Sequence, residues 1–207
     1  MNDVAWQAGA VQHDPTRLTV RPARAEDDAA LLAIDGASWT PTSGFPSLQG
    51  ETRTSFFDDR NTPDLHLVAV SNGSLAGYVR ITPMVPFPEG AHVLGIYGFA
   101  VTPAARGQGV GSALLLAAQG YARGRGARKL SLRVFGTNTT ARRLYERHGF
   151  VVEGTLRAAF LIDGEYVDDV WMSKFLDPED DPGDADGPGD PTGTASAVTP
   201  AEARPSS

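Results

Sequence analysis

The chain of 207 residues contains no cysteine and no apolar run as long as a membrane span. Without cysteine it cannot be held by disulfides, bind a metal through thiolates or form a cysteine acyl-enzyme intermediate. A spanning helix needs about 20 consecutive apolar residues, and no segment approaches that length. The first 16 residues lack the basic start and the apolar stretch of a secretory signal. We therefore expect a cytoplasmic protein without a membrane partner.

The sequence also lacks a net basic region of the kind that binds nucleic acid. Its net charge is -7, but residues 177–207 hold eight acidic side chains and one arginine, so the rest of the chain is neutral. This last segment is rich in proline, glycine, aspartate, serine and threonine, and it has too little apolar surface to form a core. It is predicted to be a disordered acidic tail, and its charge carries no information about a substrate.

Strands and helices alternate through the rest of the sequence. Asn-Gly at 72–73 and Asp-Gly at 163–164 each separate two apolar runs, a pattern typical of β-hairpins. Between these hairpins, a strand, a glycine-rich loop, a helix and another strand follow one another. The pattern predicts an α/β fold built on a mixed sheet. We expect a flexible leader over 1–17, one domain over 18–176 and the tail over 177–207.

The glycine-rich loop has the composition of an anion-binding site. Residues 106–111, with the sequence Arg-Gly-Gln-Gly-Val-Gly, lie between the apolar run 96–101 and an Ala/Leu-rich helix over 112–122. Glycine lets the backbone approach a ligand closely, and the free amides and dipole of a helix start favour negative charge. The loop lacks the lysine of a P-loop, and Ser112 stands where a dinucleotide fingerprint needs its third glycine. What it does match is the pattern R-x-x-G-x-G.

A second motif, N-x-x-A-x-x-L-Y-E-x-x-G-F-x-x-E-G, follows at residues 138–154. The two motifs in this order, with their flanking strand and helix, resemble the GNAT superfamily of acyl-coenzyme A-dependent N-acetyltransferases. Residues 163–172 are similar to the amino-acid and phosphinothricin N-acetyltransferase branch. The resemblance covers residues 18–176 and implies a mostly antiparallel, twisted sheet with flanking helices. It also implies direct transfer from acetyl-CoA to a primary amine of a small molecule or amino-acid-like substrate, without a metal.

The resemblance assigns residues to the cofactor. It implies that the loop amides bind the pyrophosphate, and that the strand before the loop pairs with the pantetheine arm and supplies a backbone oxyanion donor. Asn138 matches a position that bonds the pantetheine amide, although asparagine is equally suited to cap the helix that follows. The implied cofactor-binding residues are Phe99, Ala100, Val101, Arg106, Gly107, Gln108, Gly109, Val110, Gly111, Ser112 and Asn138.

Tyr145 stands at the tyrosine position of the family. The resemblance implies that its hydroxyl is the general acid that protonates the departing thiolate. Tyr145 can also be interpreted as an aromatic ring that packs under the sheet. Both roles can hold at once, because a buried tyrosine hydroxyl needs a polar partner.

The general base is the point where the sequence departs from the family. An alkylammonium has a pKa of about 10.4, so the acceptor must lose a proton before it can attack. Many members carry a glutamate where this chain has Gly95. Because side chains alternate along a strand, Gly95, Tyr97 and Phe99 are predicted to share one face, with Tyr97 as the polar group. An ordered water, Tyr97, Glu51 and Asp168 are the candidate bases, although Asp168 also fits a locally bonded strand end.

Two other functions fit the same motifs. One is a protein or peptide N-acetyltransferase with the same chemistry. The other is a non-catalytic acyl-CoA sensor, an alternative raised by the missing glutamate at Gly95. A homodimer is compatible with the sequence.

Overall fold

The computed structural model describes residues 18–38, 40, 42–45, 53–177, 179 and 181. The predicted leader, residues 1–17, and most of the predicted tail lie outside the described residues. Over the described residues the chain forms seven strands and three α-helices. They are β1 (Thr19–Pro22), α1 (Asp28–Ser38), β2 (His66–Ser71), β3 (Ser74–Pro83), β4 (Val93–Val101), α2 (Val110–Gly124), β5 (Lys129–Phe135), α3 (Thr139–Arg147), β6 (Val151–Ile162) and β7 (Glu165–Phe175).

The strands form one sheet in the order β1-β2-β3-β4-β5-β7-β6. Every neighbouring pair is antiparallel except β4 and β5, which are parallel. This confirms the predicted α/β fold with a mixed, mostly antiparallel sheet and flanking helices. Among the described residues, no helix combines the length and the apolar character needed to cross a membrane.

Both predicted hairpins are present. Asn72 and Gly73 have φ of 51° and 76°, and Asp163 and Gly164 have φ of 51° and 84°. Two consecutive residues with positive φ are what a two-residue type I′ turn needs, which is why Asn-Gly and Asp-Gly occur there. The turns set the pairings of β2 with β3 and of β6 with β7.

The two faces of the sheet carry separate apolar cores. On one face, α2 and α3 pack side chains such as Leu114 and Tyr145 against Val79, Leu130 and Leu132; we call this the main core. On the other face, α1 packs against a smaller cluster that we call the α1 core. Its buried members are Ala23, Leu31, Ile34, Phe56, Val68, Tyr78 and Ala100.

Strands β4 and β5 separate part of the way along their length. They pair from Val93 with Lys129 to Ile96 with Leu132, and no pairing joins them beyond that point. Residues 97–101 of β4 and 133–135 of β5 therefore border an opening in the sheet, which we call the cleft. The amino end of α2 follows the carboxyl end of β4, so the glycine loop lies at this opening.

A β-bulge in β4 changes the side-chain pattern at the cleft. Ile96 pairs with Ile81 and Gly98 with Arg80, so Tyr97 is an extra residue without a partner on β3. As a result, Ile96 and Phe99 both face the main core, whereas regular alternation would place them on opposite faces. The prediction that Gly95, Tyr97 and Phe99 share one face is therefore wrong for Phe99.

His66 on β2 is buried in an aromatic environment formed by Phe56, Phe57 and Tyr78. Its Nδ1 lies 2.9 Å from the carbonyl oxygen of Thr62 and donates to it in the neutral ring. Its Nε2 is buried without a hydrogen-bond partner among the described residues. Burial lowers the pKa of His66, because a charged imidazolium would lose its hydration in this site.

This burial predicts a pH-dependent stability. Below the ordinary histidine pKa of about 6.5, this side chain binds a proton in the unfolded chain but stays neutral in the folded one. The free energy of unfolding therefore falls as the pH falls. One such group contributes a slope of at most about 1.4 kcal/mol per pH unit. Urea unfolding at pH 7.0 and 5.5 measures it, and His66→Gln should reduce the slope. An unchanged slope in that variant would assign the effect to another group, such as His148, whose pKa is also lowered, chiefly by burial.

Candidate active site

The glycine loop presents unpaired amides at the start of α2. Gly107 and Gly109 have φ of 77° and 81°, in the left-handed region that favours glycine. Gly109 is the N-cap of α2 and provides no side-chain cap. The first amide that bonds back into the turn is that of Ala113, to Gly109, at 2.9 Å. The amides of residues 110–112 have no acceptor among the described residues, as an anion-binding helix start requires.

The three glycines of the loop have different roles. A Cβ built on Gly107 or Gly109 would meet nothing within 4 Å, so both border open space. A Cβ built on Gly111 would lie 3.0 Å from Cδ2 of Leu144 and 3.7 Å from Cζ of Phe99. The absence of a side chain at Gly111 therefore allows close packing of α2 against α3 and β4. Its place among the predicted cofactor-binding residues rests on its backbone amide and stays a prediction.

Side chains of the loop hold its shape. The Arg106 Nε–H donates to the carbonyl of Val101 at 3.3 Å, and the Gln108 side-chain amide donates to the carbonyl of Ala104 at 2.7 Å. Val110 is buried in the main core, so its backbone alone is available to a ligand.

Ser112 is linked to α3 through a histidine. Its Oγ lies 2.9 Å from Nε2 of His148, and the Lys174 ammonium donates to the His148 carbonyl at 2.9 Å. No local pattern in the sequence indicates this contact, because 36 residues separate the two partners. The contact ties the first turn of α2 to the carboxyl end of α3.

The part of β4 that borders the cleft contains Phe99, Ala100 and Val101. These residues pair with Val79, Tyr78 and Gly77 of β3 on one side. On the side facing β5 they have no strand partner, so backbone groups on that edge can bind an extended ligand as an added strand would.

Tyr145 lies beneath this edge. Its ring centroid is 6.0 Å from that of Phe99 and 6.0 Å from that of Phe150, and the residue is buried. Burial raises the pKa of the Tyr145 hydroxyl, because a phenolate would be poorly solvated there. No hydrogen bond among the described residues engages the hydroxyl, so a protonated donor is available next to the cleft.

Asn138 caps α3. Its Oδ1 accepts the backbone N–H of Ala141 at 3.1 Å, as one of its two predicted roles requires. The cap uses only the side-chain oxygen, and the Nδ2 amide keeps its donors for a ligand.

Tyr97 occupies the space that a side chain at Gly95 would need. A Cβ built on Gly95 would lie 2.6 Å from Cε2 of Tyr97 and 3.2 Å from the sulfur of Met84. The Tyr97 hydroxyl donates to the carbonyl of Met84 at 3.1 Å, and the residue is 47% exposed. The ring of Tyr97 at the bulge therefore lies where the side chain of a glutamate at position 95 would begin.

The other candidate bases differ in their surroundings. Asp168 Oδ1 accepts the backbone N–H of Ala158 at 2.8 Å, within the bulged part of β6. This local bond matches the strand-end interpretation of Asp168. Glu51 lies outside the described residues.

A group of aromatic and charged side chains near the cleft was not predicted from the sequence. The rings of Phe45, Phe135 and Phe160 contact one another, with centroids 5.0–5.4 Å apart. Arg133 lies beside them and forms an ion pair with Asp169. Alternation along β5 indicates only that Arg133 points away from the main core, and nothing local indicates its partner.

Known proteins resemble the chain in sequence and structure. The model of the acetyltransferase (GNAT) family matches residues 31–150. Mycothiol acetyltransferase of Acidimicrobium ferrooxidans is 35% identical over 145 residues, which are 67% of this chain and 44% of that protein. A Bacillus subtilis protein provisionally named phosphinothricin acetyltransferase is 29% identical over 157 residues, which are 73% of this chain and 94% of that protein.

Solved structures of acetyltransferases also resemble the chain. The crystal structure of ribosomal-protein-alanine N-acetyltransferase from Brucella melitensis superposes with a TM-score of 0.59 at 28% identity, covering 76% of this chain and 99% of that one. The chain spans less than half the length of the mycothiol acetyltransferases that it matches.

Proposed function

Because the chain belongs to the GNAT family of acetyltransferases, we propose that it transfers an acetyl group from acetyl-CoA to a primary amine. The acceptor is a small molecule or an amino-acid-like substrate, and the transfer is direct, within a ternary complex. The proposal rests on three features that lie at one cleft. They are the unpaired amides at the start of α2, the open edge of β4 and the hydroxyl of the buried Tyr145.

The residues at the cleft fit the parts of acetyl-CoA. The backbone of residues 107–112 would bind the pyrophosphate, supported by the helix dipole and the open space at Gly107 and Gly109. The edge at residues 99–101 would pair with the pantetheine arm, and the Asn138 amide would donate to it. Gly107 and Gly109 carry no side chain that would block this arrangement, and no other atom lies within 4 Å of a Cβ built on either.

The reaction forms a C–N bond between the amine and the thioester carbon and breaks the C–S bond. A backbone N–H of residues 99–101 would stabilise the developing oxyanion. Tyr145 would give its proton to the leaving sulfur, and its raised pKa keeps that proton in place until the sulfur becomes basic. The amine would lose its proton to water held at the Tyr97 hydroxyl, which lies where a glutamate at position 95 would reach.

Tyr97→Phe tests the water relay. Removing the hydroxyl should lower turnover by about tenfold, or ~1.4 kcal/mol in the barrier, because the water loses one hydrogen-bond partner. The rise of rate with pH should keep its shape, since water remains the proton acceptor. Initial rates between pH 6 and 9 measure both effects.

Glu51→Gln and Asp168→Asn are the companion variants. Neither should flatten the pH profile if water is the base. A profile that becomes flat in any one of the three variants would identify that residue as the base and contradict the relay.

Binding of acetyl-CoA is the first test of the proposed function. A ligand that binds only the folded chain stabilises it by about 2.7 kcal/mol at 100 times its Kd. Purified protein should therefore show a melting temperature that rises with acetyl-CoA concentration. No rise at millimolar acetyl-CoA would contradict the assignment of the cleft.

The absence of a glutamate at position 95 favours a second candidate function, that of a non-catalytic acyl-CoA sensor. A sensor and a transferase share the binding result and differ in chemistry. Thiol release that depends on an added amine supports the transferase, whereas binding without release supports the sensor. A peptide acceptor in the same assay tests the protein acetyltransferase alternative.

A further inference from the structure

We propose that the acceptor is a small aromatic amine with a carboxylate close to its amino group, as in an aromatic amino acid. The inference rests on the proposed function and names the substrate class of the same cleft. The ring of the acceptor would pack against Phe45, Phe135 and Phe160, which we call the aromatic cluster. Its carboxylate would bind Arg133.

The aromatic cluster lies beside the cleft. Phe135 ends β5 on the section that no longer pairs with β4, and Phe160 lies in the bulged part of β6. Phe45 comes from the segment between α1 and β2. Three separate parts of the chain thus bring their rings to one place.

The cluster is on the same face of the sheet as Gly95. Leu132 and Val134 face the main core, so Arg133 and Phe135 face the other way. Gly95 pairs with Ser131, whose side chain lies on that same face as Arg133. An amine held near Gly95 and Tyr97 can therefore extend over β5 towards the cluster.

The rings remain accessible to a ligand. Phe45 is 38% exposed, and Phe135 and Phe160 are half-buried. They meet edge to face or tilted, which is the usual geometry of aromatic pairs, and the exposed part of Phe45 can contact a further ring.

Arg133 is held in a fixed position beside the cluster. Its Nε donates to Oδ2 of Asp169 at 2.8 Å, and its Nη2 donates to the same oxygen. The guanidinium lies 5.0 Å from the ring centroid of Trp171 and 6.0 Å from that of Phe160.

This fixed guanidinium faces solvent. The Arg133 side chain is 45% exposed, whereas that of Asp169 is 2% exposed. Nη1 takes part in no hydrogen bond among the described residues, so its N–H groups are available. An arginine held in this way binds a carboxylate with little further loss of side-chain freedom.

The acidic side chains beside the cluster are already bonded within the protein. Asp169 accepts from Arg133 and from the Trp171 indole at 3.1 Å, and Asp168 accepts from the Ala158 backbone. Asp169 is paired with a cation, whereas Asp168 accepts only a neutral N–H and takes part in no ion pair among the described residues, so it can receive the one amine of the acceptor. Each further charge of a polyamine would need another carboxylate beside the cluster. The charges thus favour an acceptor with one amine and one carboxylate.

Three acceptors with acetyl-CoA test the proposal: phenylalanine, phenylethylamine, which lacks the carboxylate, and spermidine. We expect kcat/KM to be about tenfold higher for phenylalanine than for phenylethylamine, and lowest for spermidine. Arg133→Gln should remove the preference for phenylalanine and leave phenylethylamine nearly unchanged. Phe160→Leu should weaken both aromatic acceptors.

Two controls keep the result interpretable. Leu116→Ala removes an exposed apolar side chain from α2, on the other face of the sheet, and should change nothing. Because Arg133→Gln leaves Asp169 buried without its partner, the double variant Arg133→Gln/Asp169→Asn should give the same loss of preference in a stable protein.

The outcomes separate the inference from the proposed function. Equal or better transfer to spermidine would overturn the substrate class while supporting the transferase. If no acceptor releases thiol, calorimetry with protein saturated in CoA measures phenylalanine binding directly. Saturable binding that Phe160→Leu weakens would support the inference and contradict transfer, and absence of binding would overturn the inference.

Discussion

Replacing Tyr145 with phenylalanine should lower turnover by about 10²–10⁴-fold, while the fold and the affinity for acetyl-CoA are retained. The substitution removes one oxygen and keeps the ring that packs against Phe99 and Phe150. Burial raises the pKa of the Tyr145 hydroxyl, so its proton stays in place at neutral pH, and the same apolar surroundings make the leaving thiolate more basic and able to take that proton. Without that acid, the thiolate leaves unprotonated in an apolar site, which is costly.

A second tyrosine provides the matched control. Tyr121 on α2 donates its hydroxyl to the carbonyl of Asp64 at 3.0 Å, away from the cleft. Tyr121→Phe should leave kcat unchanged. Steady-state kinetics of both variants, with calorimetric Kd values for acetyl-CoA, distinguish a catalytic role from a packing role. Full activity of Tyr145→Phe on a good acceptor would assign the tyrosine to packing alone.

Gly109→Glu should abolish binding of acetyl-CoA. Gly109 has φ of 81°, so any L side chain strains the loop by roughly 1–2 kcal/mol. A carboxylate at this position also enters the open space beside the unpaired amides and repels the pyrophosphate. Thermal shift and calorimetry should both detect no binding at concentrations that saturate the unmodified protein.

Two comparison variants separate strain from charge. Gly120→Glu adds the same carboxylate in the middle of α2, where nothing lies within 4 Å of the new Cβ, and should leave binding unchanged. Gly109→Ala adds the strain without the charge and should weaken binding less than the glutamate does. Normal binding of acetyl-CoA by Gly109→Glu would contradict the assignment of the loop.

The parts of the fold that were predicted correctly have local causes. The hairpins follow from Asn-Gly and Asp-Gly, which tolerate positive φ at both turn positions. The position of the loop between β4 and α2 follows from its glycines and from the apolar runs on either side. Such signals lie within a few residues of the feature that they specify, so a single sequence displays them.

The features that were missed depend on contacts between distant parts of the chain. The bulge at Tyr97 depends on the register of β4 against β3, and it separates Phe99 from the face of Gly95. Gly111 reads as a loop glycine in the sequence, yet its nearest neighbour is Leu144 on α3. The ion pair of Arg133 with Asp169 joins two strands 36 residues apart, and neither residue type predicts the other.

Amine-dependent thiol release, with identification of the product by mass spectrometry, tests the central claim most directly. The protein is mixed with acetyl-CoA and a panel of primary amines that includes amino acids, polyamines and a peptide. We predict that at least one amine accelerates thiol release and appears as its N-acetylated product, and that Tyr145→Phe but not Tyr121→Phe suppresses both. Binding of acetyl-CoA without amine-dependent release from any member of the panel would contradict the claim and identify the chain as an acyl-CoA sensor.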